Sequence, residues 1–165
     1  MFLHSGIFHI AGNLWFLWIF GNNIEDVLGH VKFAIFYLFG GIAAAAVHIL
    51  SNPMSPIPTL GASGAIAAVM GADIVLFPNS RITTLVFFGF FVTTVAIPAV
   101  VVLGIWIFLQ FSGVTGGTTP GGGGVAYWAH IGGFIAGVVG ILLLGGRGLR
   151  NQGRPMFRGR YRYDD

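Results

Sequence analysis

Five polar residues in an apolar sequence have types and spacing that suit acyl transfer: His4, His9, Asn13, Ser63 and His130. A serine hydroxyl is a weak nucleophile until a base takes its proton, and His130 could be that base for Ser63. The amide of Asn13 and the ring N–H of His9 could donate hydrogen bonds to a developing oxyanion. His9 and Asn13 are four residues apart, so we expect them to share one helix face.

The sequence offers these residues no carboxylate. Glu25 and Asp26 are expected at the opposite end of the first helical segment, and Asp73 lies ten residues after Ser63. In a helix that separation is about 15 Å along the axis. A backbone N–H at Ser63 would sit at the positive end of a helix and could add a third oxyanion donor. The pattern therefore predicts a Ser–His dyad, with no acidic third member.

Composition defines the environment in which these residues must work. The chain has 165 residues, of which 55% are hydrophobic and 8% are charged, whereas a soluble domain carries about 25% charged residues. The 27 glycines suit closely packed membrane helices, and the absence of cysteine excludes thiol chemistry. We expect an all-α, polytopic transmembrane helix bundle whose surroundings are the lipid bilayer, with no nucleic-acid partner.

Five apolar segments predict five membrane helices. Residues 82–96 are expected to extend the fourth helix or to lie along the membrane interface. Residues 22–30 read as a polar turn. The predicted helices have the approximate bounds 2–21, 31–50, 61–77, 97–111 and 125–144.

The basic residues predict the orientation of the bundle. All eight fall at Lys32, at Arg81 and in a tail that starts at Arg147, whereas the loops 51–60 and 112–124 carry no charge. If the segments alternate, the basic residues share one side, which is the cytoplasmic side of multi-pass proteins. We expect an integral protein of the plasma (inner) membrane with a cytoplasmic C-terminus, and a site that opens outward. Residues 1–146 would form the membrane domain and 147–165 a disordered basic tail.

Two stripes of small residues predict which helices touch. Ser63 starts the third segment and His130 lies about one turn into the fifth, so both lie at the same depth on the outer side, where intramembrane polar groups usually mark function. Small stripes below them would let the two backbones meet and would place Ser63 against His130. The stripes consist of Gly64, Ala68 and Gly71 in the third segment and of Gly133 and Gly137 in the fifth.

Four motifs in this order resemble those of the rhomboid family of intramembrane serine proteases. They are HSGIFHIAGN (residues 4–13), Glu25 followed by Gly29, GASG (61–64) and AHIGGFIAG (129–137), and the resemblance covers about residues 1–145. It implies cleavage of transmembrane protein substrates, with no cofactor. The implied roles are nucleophile for Ser63, base for His130, oxyanion hole for His9, Asn13 and the Ser63 backbone N–H, and support for His4, Gly61, Gly64, Gly133 and Gly137.

The sequence departs from the family pattern in three ways. The family core has six helices, and neither the helix that precedes the HSGIFHIAGN helix nor the long outer loop that joins these two helices is in this sequence. We therefore expect that the chain is truncated, starts at the wrong residue or lacks its first helix. Many members also carry a tyrosine four residues after the serine, stacked under the histidine. Here that position is Ala67, so His130 must be supported in another way.

Other interpretations remain open from the residues alone. The chain could be a catalytically inactive rhomboid-like protein that binds membrane helices through the same groove. His4, His9 and His130 could instead bind zinc, although the spacing of the first two suits one helix face poorly. Ser63 alone could simply cap its helix, as serine often does.

Overall fold

The computed structural model describes residues 1–51, 53–54, 59–115 and 125–149, in which the chain forms five α-helices and one β-hairpin. The elements are α1 (Ile7–Leu28), α2 (His30–Ser51), α3 (Ser63–Leu76), β1 (Arg81–Phe88), β2 (Phe91–Pro98), α4 (Ala99–Thr115) and α5 (Tyr127–Leu143).

The five predicted helical segments correspond to these five helices. One of them, α2, is long and apolar enough to cross a membrane by length and composition. Three shorter helices, α3, α4 and α5, are also apolar. Because the helices form where the apolar runs lie, the coarse prediction of a mainly helical bundle is confirmed.

The first helix lies further along the chain than the sequence suggested, because it begins at Ile7 and not near Phe2. Residues 22–30 were expected to form a polar turn after a helix that ended near Gly21, but α1 continues to Leu28. Ile24 and Leu28 are buried one helical turn apart, so apolar packing keeps this polar stretch helical. Gly29 ends the helix with a positive φ of 77°, a conformation that glycine adopts without strain.

The expectation for residues 82–96 is wrong, and the protein is not purely all-α. These residues form the antiparallel hairpin β1–β2, whose tip pairs Phe88 with Phe91. Its threonine, valine, isoleucine and phenylalanine side chains favour extended backbone. The two-residue turn begins at Gly89 with φ 60°, and positive φ is what tight hairpin turns require. Pro98 ends β2 directly before α4, so it does not kink that helix.

The centre of the bundle is α3, which packs against α1, α2 and α5. All residues from Ala65 to Ala72 are buried. A Cβ at Gly137 would collide with the Ala68 carbonyl oxygen, and one at Gly133 would collide with the carbonyl oxygen of Gly64. The predicted contact between the small stripes of α3 and α5 is therefore confirmed.

Some predicted features lie outside the described residues. The uncharged loops 51–60 and 112–124 are described only in part, and residues 150–165 of the basic tail are not described. The division into a membrane domain and a tail stays a prediction. Arg147, at the start of that tail, donates a hydrogen bond from Nε to the Val75 carbonyl oxygen (3.1 Å) at the end of α3.

Candidate active site

Ser63 and His130 meet across the α3–α5 contact. Ser63 is the first residue of α3 and His130 is the fourth residue of α5, and the Ser63 Oγ lies 2.7 Å from His130 Nε2. The Ser63 hydroxyl does not cap the helix, because the N-cap residue is Ala62 and no side chain caps it. The structure therefore brings together the two residues predicted to form a dyad.

The close approach of two backbones sets this distance. Gly133 lies against the carbonyl of Gly64, so a larger residue at Gly133 would push α3 and α5 apart. Gly64 also faces the Ala44 side chain, and a Cβ at Gly64 would lie 2.6 Å from it. The two supporting glycines are therefore Gly64, one residue after Ser63, and Gly133, one helical turn after His130.

Gln110 contacts the other nitrogen of the His130 ring. The Gln110 Oε1 atom lies 2.8 Å from His130 Nδ1 in a buried contact. Trp106, one turn earlier on α4, packs its ring against the imidazole at a centroid distance of 5.5 Å and an interplanar angle of 37°. These two residues contact His130, whereas Ala67 has no ring that could stack under the imidazole.

Sequence reasoning missed Gln110 and Trp106. A usable signal existed for Gln110, because it is the single amide side chain in the apolar run 97–111. Polar groups inside membrane segments usually face the bundle interior. No comparable signal existed for Trp106, because an aromatic residue in an apolar helix is most often a packing residue.

His9 and Asn13 converge on the backbone at Gly61, two residues before Ser63. A Cβ at Gly61 would lie 2.6 Å from His9 Nε2 and 3.4 Å from Asn13 Nδ2. Gly61 has φ 101°, so glycine is needed here both for its conformation and for the close approach. Asn13 Nδ2 is buried and has no hydrogen-bond partner among the described residues. The structure therefore leaves an amide donor available beside the loop that leads into Ser63.

Ser5 is a second residue that sequence reasoning missed. Its backbone N–H donates to His9 Nδ1 (3.4 Å), and its hydroxyl lies 2.9 Å from the same nitrogen. Because Nδ1 accepts from the backbone, the proton of a neutral His9 ring is on Nε2, the nitrogen that faces Gly61. His4 lies just before α1 and packs edge-on against His9 at 5.2 Å. The ring N–H of a neutral His9 therefore lies beside the loop that leads into Ser63.

Asp73 and Glu25 pair with residues away from the dyad. Asp73 is fully buried and accepts a hydrogen bond from Asn23 Nδ2 (2.8 Å), and Glu25 contacts His30 Nδ1 (2.6 Å). Within the described residues, neither of them contacts His130. This arrangement agrees with a dyad that lacks a carboxylate.

The geometry does not favour the zinc interpretation. Both ring nitrogens of His130 already have hydrogen-bond partners, Ser63 and Gln110. Across the described ranges, no three histidine or acidic side chains are grouped as metal ligands would be. His4 and His9 contact each other ring to ring instead.

Comparison with known proteins identifies the family. The family model described as the Rhomboid domain matches residues 1–147. The human presenilin-associated rhomboid-like protein, mitochondrial, is 30% identical over 141 residues, which are 83% of this chain and 34% of that protein. Yeast (Saccharomyces cerevisiae) rhomboid protein 1, mitochondrial, is 29% identical over 84% of this chain and 38% of its own length.

A bacterial relative matches a shorter part of the chain. Rhomboid protease GluP of Bacillus subtilis is 39% identical over 79 residues, which are 48% of this chain and 15% of that protein. No solved structure matches the chain at a significant level. The chain spans about a third of the length of the human and yeast relatives. Because the family model covers nearly all of the described residues, this chain belongs to the rhomboid family.

Proposed function

We propose that this protein is an intramembrane serine endopeptidase that cleaves transmembrane protein substrates with a dyad of Ser63 and His130. The observation that carries the proposal is the 2.7 Å hydrogen bond between Ser63 Oγ and His130 Nε2 in a chain of the rhomboid family. The Bacillus subtilis relative is named a rhomboid protease, and this name supports the same activity.

In the first half of the reaction, Ser63 would be acylated. His130 Nε2 takes the hydroxyl proton while Ser63 Oγ attacks the carbonyl carbon of the scissile peptide bond. The resulting imidazolium then gives its proton to the leaving nitrogen. The C–N bond breaks, one substrate fragment departs as an amine, and the other stays on Ser63 as an ester.

In the second half, water would replace the amine. His130 takes a proton from water, the hydroxide attacks the ester carbonyl, and the proton returns to Ser63 Oγ as the C–O bond breaks. The products are a carboxylic acid and free enzyme. Every atom and proton is accounted for by Ser63, His130, water and substrate, so the proposed reaction needs no cofactor.

The tetrahedral intermediate of each half carries a negative oxygen that needs donors. Asn13 Nδ2 and the Nε2 proton of His9 converge beside Gly61, and the backbone N–H of Ser63 lies at the start of α3. A helix start offers free N–H groups and the positive end of the helix dipole. These three donors support an oxyanion hole next to the nucleophile.

We also propose the orientation of the site. Ser63 starts α3, whereas Arg81 and Arg147 lie near the other end of that helix, so the dyad and the basic residues are at opposite ends of the bundle. Since basic residues favour the cytoplasm, the site would open to the outer side of the plasma membrane and cut a substrate helix near its outer end.

The experiment that tests the function is labelling with a fluorophosphonate, which forms a covalent bond only with an activated serine. We expect the detergent-solubilised protein and Ser51→Ala to be labelled, and Ser63→Ala and His130→Ala to remain unlabelled. Ser51 is a matched control because it is exposed and its hydroxyl donates to the His48 carbonyl oxygen (2.8 Å), away from the dyad.

Two outcomes would contradict the proposal. Equal labelling of Ser63→Ala and wild type would place the reactive serine elsewhere. No labelling of the wild type, together with saturable binding of a model transmembrane helix, would favour the inactive helix-binding protein. Cleavage of that helix by the wild type, and not by Ser63→Ala, would extend the result from a reactive serine to peptide-bond hydrolysis.

A further inference from the structure

We propose that Gln110 is a positioning residue for the dyad: its side-chain carbonyl accepts the Nδ1 proton of His130 and thereby turns the Nε2 lone pair toward Ser63. This inference rests on the proposed function, because Gln110 can assist catalysis only if Ser63 and His130 act as a dyad. Its structural content, the position of one proton on one ring, can be measured independently of activity.

A second hydrogen bond fixes the orientation of the Gln110 amide. Its Nε2 donates to the Trp106 carbonyl oxygen at 2.9 Å, one turn earlier on α4. A carbonyl oxygen can only accept, so the nitrogen of the amide must face Trp106 and the oxygen must face His130. The side chain is 7% exposed, so water competes little for either bond. The orientation of the amide therefore follows from its partners.

This orientation determines the tautomer of His130. A neutral imidazole carries one N–H, and because Gln110 Oε1 can only accept, that proton lies on Nδ1. Nε2 is then a free acceptor, 2.7 Å from the Ser63 hydroxyl. The other tautomer would place an N–H against the serine and could not remove its proton.

Trp106 limits the other movement open to the ring. Its indole packs on the imidazole at a centroid distance of 5.5 Å and an interplanar angle of 37°, so it occupies the space on one side of the ring. Ala67, fully buried on α3, offers no such surface. The support for His130 therefore comes from α4, through one hydrogen bond and one ring contact. An amide holds the ring as the asparagine of a Cys–His–Asn site does, without adding a charge to the membrane interior.

The kinetic test compares three variants by fluorophosphonate labelling. Gln110→Leu removes the acceptor at similar size, and Gln110→Glu keeps an acceptor oxygen. Ser112→Ala removes an exposed α4 hydroxyl that donates to the Phe108 carbonyl oxygen. We expect Gln110→Leu to lower the maximal labelling rate about 100-fold, within the range of general-base effects, with the probe concentration at half-maximal rate unchanged. Gln110→Glu should recover most of the rate, and Ser112→Ala should match wild type. A Gln110→Leu rate equal to wild type would overturn the inference.

The spectroscopic test uses ¹⁵N-histidine labelling of the full chain, which has five histidines, with His130→Ala to assign the signal. We expect His130 of the wild type to be protonated at Nδ1. In Gln110→Leu, the tautomer of His130 should shift toward protonation at Nε2. The signals of the other histidines should stay in place, which would show that the fold is kept. Nε2 protonation in the wild type would overturn the inference even in an active enzyme. Nδ1 protonation in a protein whose Ser63 is never labelled would leave this inference standing and contradict the proposed function.

Discussion

At the scale of single residues, the site depends on which nitrogen of each histidine carries a proton. Ser5 leaves the His9 proton on Nε2, where it can donate, and Gln110 leaves the His130 proton on Nδ1, so that Nε2 can accept. Two histidines of the same site thus have opposite tautomers. The partner of Nδ1 differs, and in the proposed reaction that partner fits His9 to donate to the oxyanion and His130 to act as the base.

The oxyanion hole is testable at this scale through Asn13, whose buried Nδ2 has no partner among the described residues. We expect Asn13→Ala to lower the maximal rate of fluorophosphonate labelling by about 10²–10³-fold, the usual effect of one missing oxyanion donor, with little change in probe affinity. The matched control is Asn22→Ala, an exposed amide of the same helix. Wild-type rates for Asn13→Ala would show that the amide does not serve the reaction.

At the scale of elements, α3 is the scaffold for the site. It is enclosed by three other helices, and its small stripe lets α5 approach until the carbonyls of Gly64 and Ala68 meet Gly133 and Gly137. In lipid, helices associate through such close packing and not through burial of apolar surface away from water. The position of His130 relative to Ser63 therefore depends on residues that do no chemistry.

A matched pair of glycine substitutions tests this dependence. A Cβ at Gly137 has no space, so we expect Gly137→Ala to destabilise the fold by about 1–3 kcal/mol and to lower Ser63 labelling. A Cβ at Gly104 on α4 would meet no atom within 4 Å. Gly104→Ala should be neutral or stabilising by up to about 1 kcal/mol, because alanine is the better helix former. Thermal unfolding in detergent measures both, and equal midpoints would contradict the packing model.

At the scale of the whole molecule, polarity and charge separate along the bundle. The Asn23–Asp73 bond, the Arg147–Val75 bond and the start of the hairpin at Arg81 lie near the end of α3, whereas His9, Gly61 and His130 gather near its start. Among the described residues, the candidate chemistry therefore lies at one end of the bundle and Arg81 and Arg147 lie at the other. This separation is what the proposed membrane orientation requires.

Single cysteines can test that orientation because the chain contains none of its own. In right-side-out vesicles, we expect Met54→Cys, after α2, to react with a membrane-impermeant maleimide. Val31→Cys, beside Lys32, should react only after detergent is added. Both positions are exposed, with 89% and 73% of their surface accessible. The reverse pattern would place the site on the cytoplasmic side.

The sequence by itself determined the candidate residues, the five helices and the contact between α3 and α5. The residue types, the length of an apolar run and the spacing of small residues are local properties of a segment. Each of them can therefore be interpreted without knowing where the segment lies in the fold. The resemblance to the family motifs added the predicted roles of Ser63 and His130. The sequence did not predict the extension of α1, because the burial of Ile24 and Leu28 keeps a polar stretch helical. It did not predict the hairpin either, because β-branched residues can favour strands within an apolar run that suggests a helix.

Only the tertiary structure decided what surrounds His130. Gln110 lies 20 residues away and Trp106 lies 24 residues away in the sequence, and their contacts with the imidazole depend on how α4 is rotated and placed against α5. Ser5 likewise reaches His9 only through the turn that precedes α1. A hydrogen bond depends on tenths of an ångström in the donor–acceptor distance and on the angle at the hydrogen. A sequence pattern predicts only which helix face a residue occupies and how deep in the membrane it lies. The tautomers, and with them the direction of proton transfer, are properties of the packed molecule.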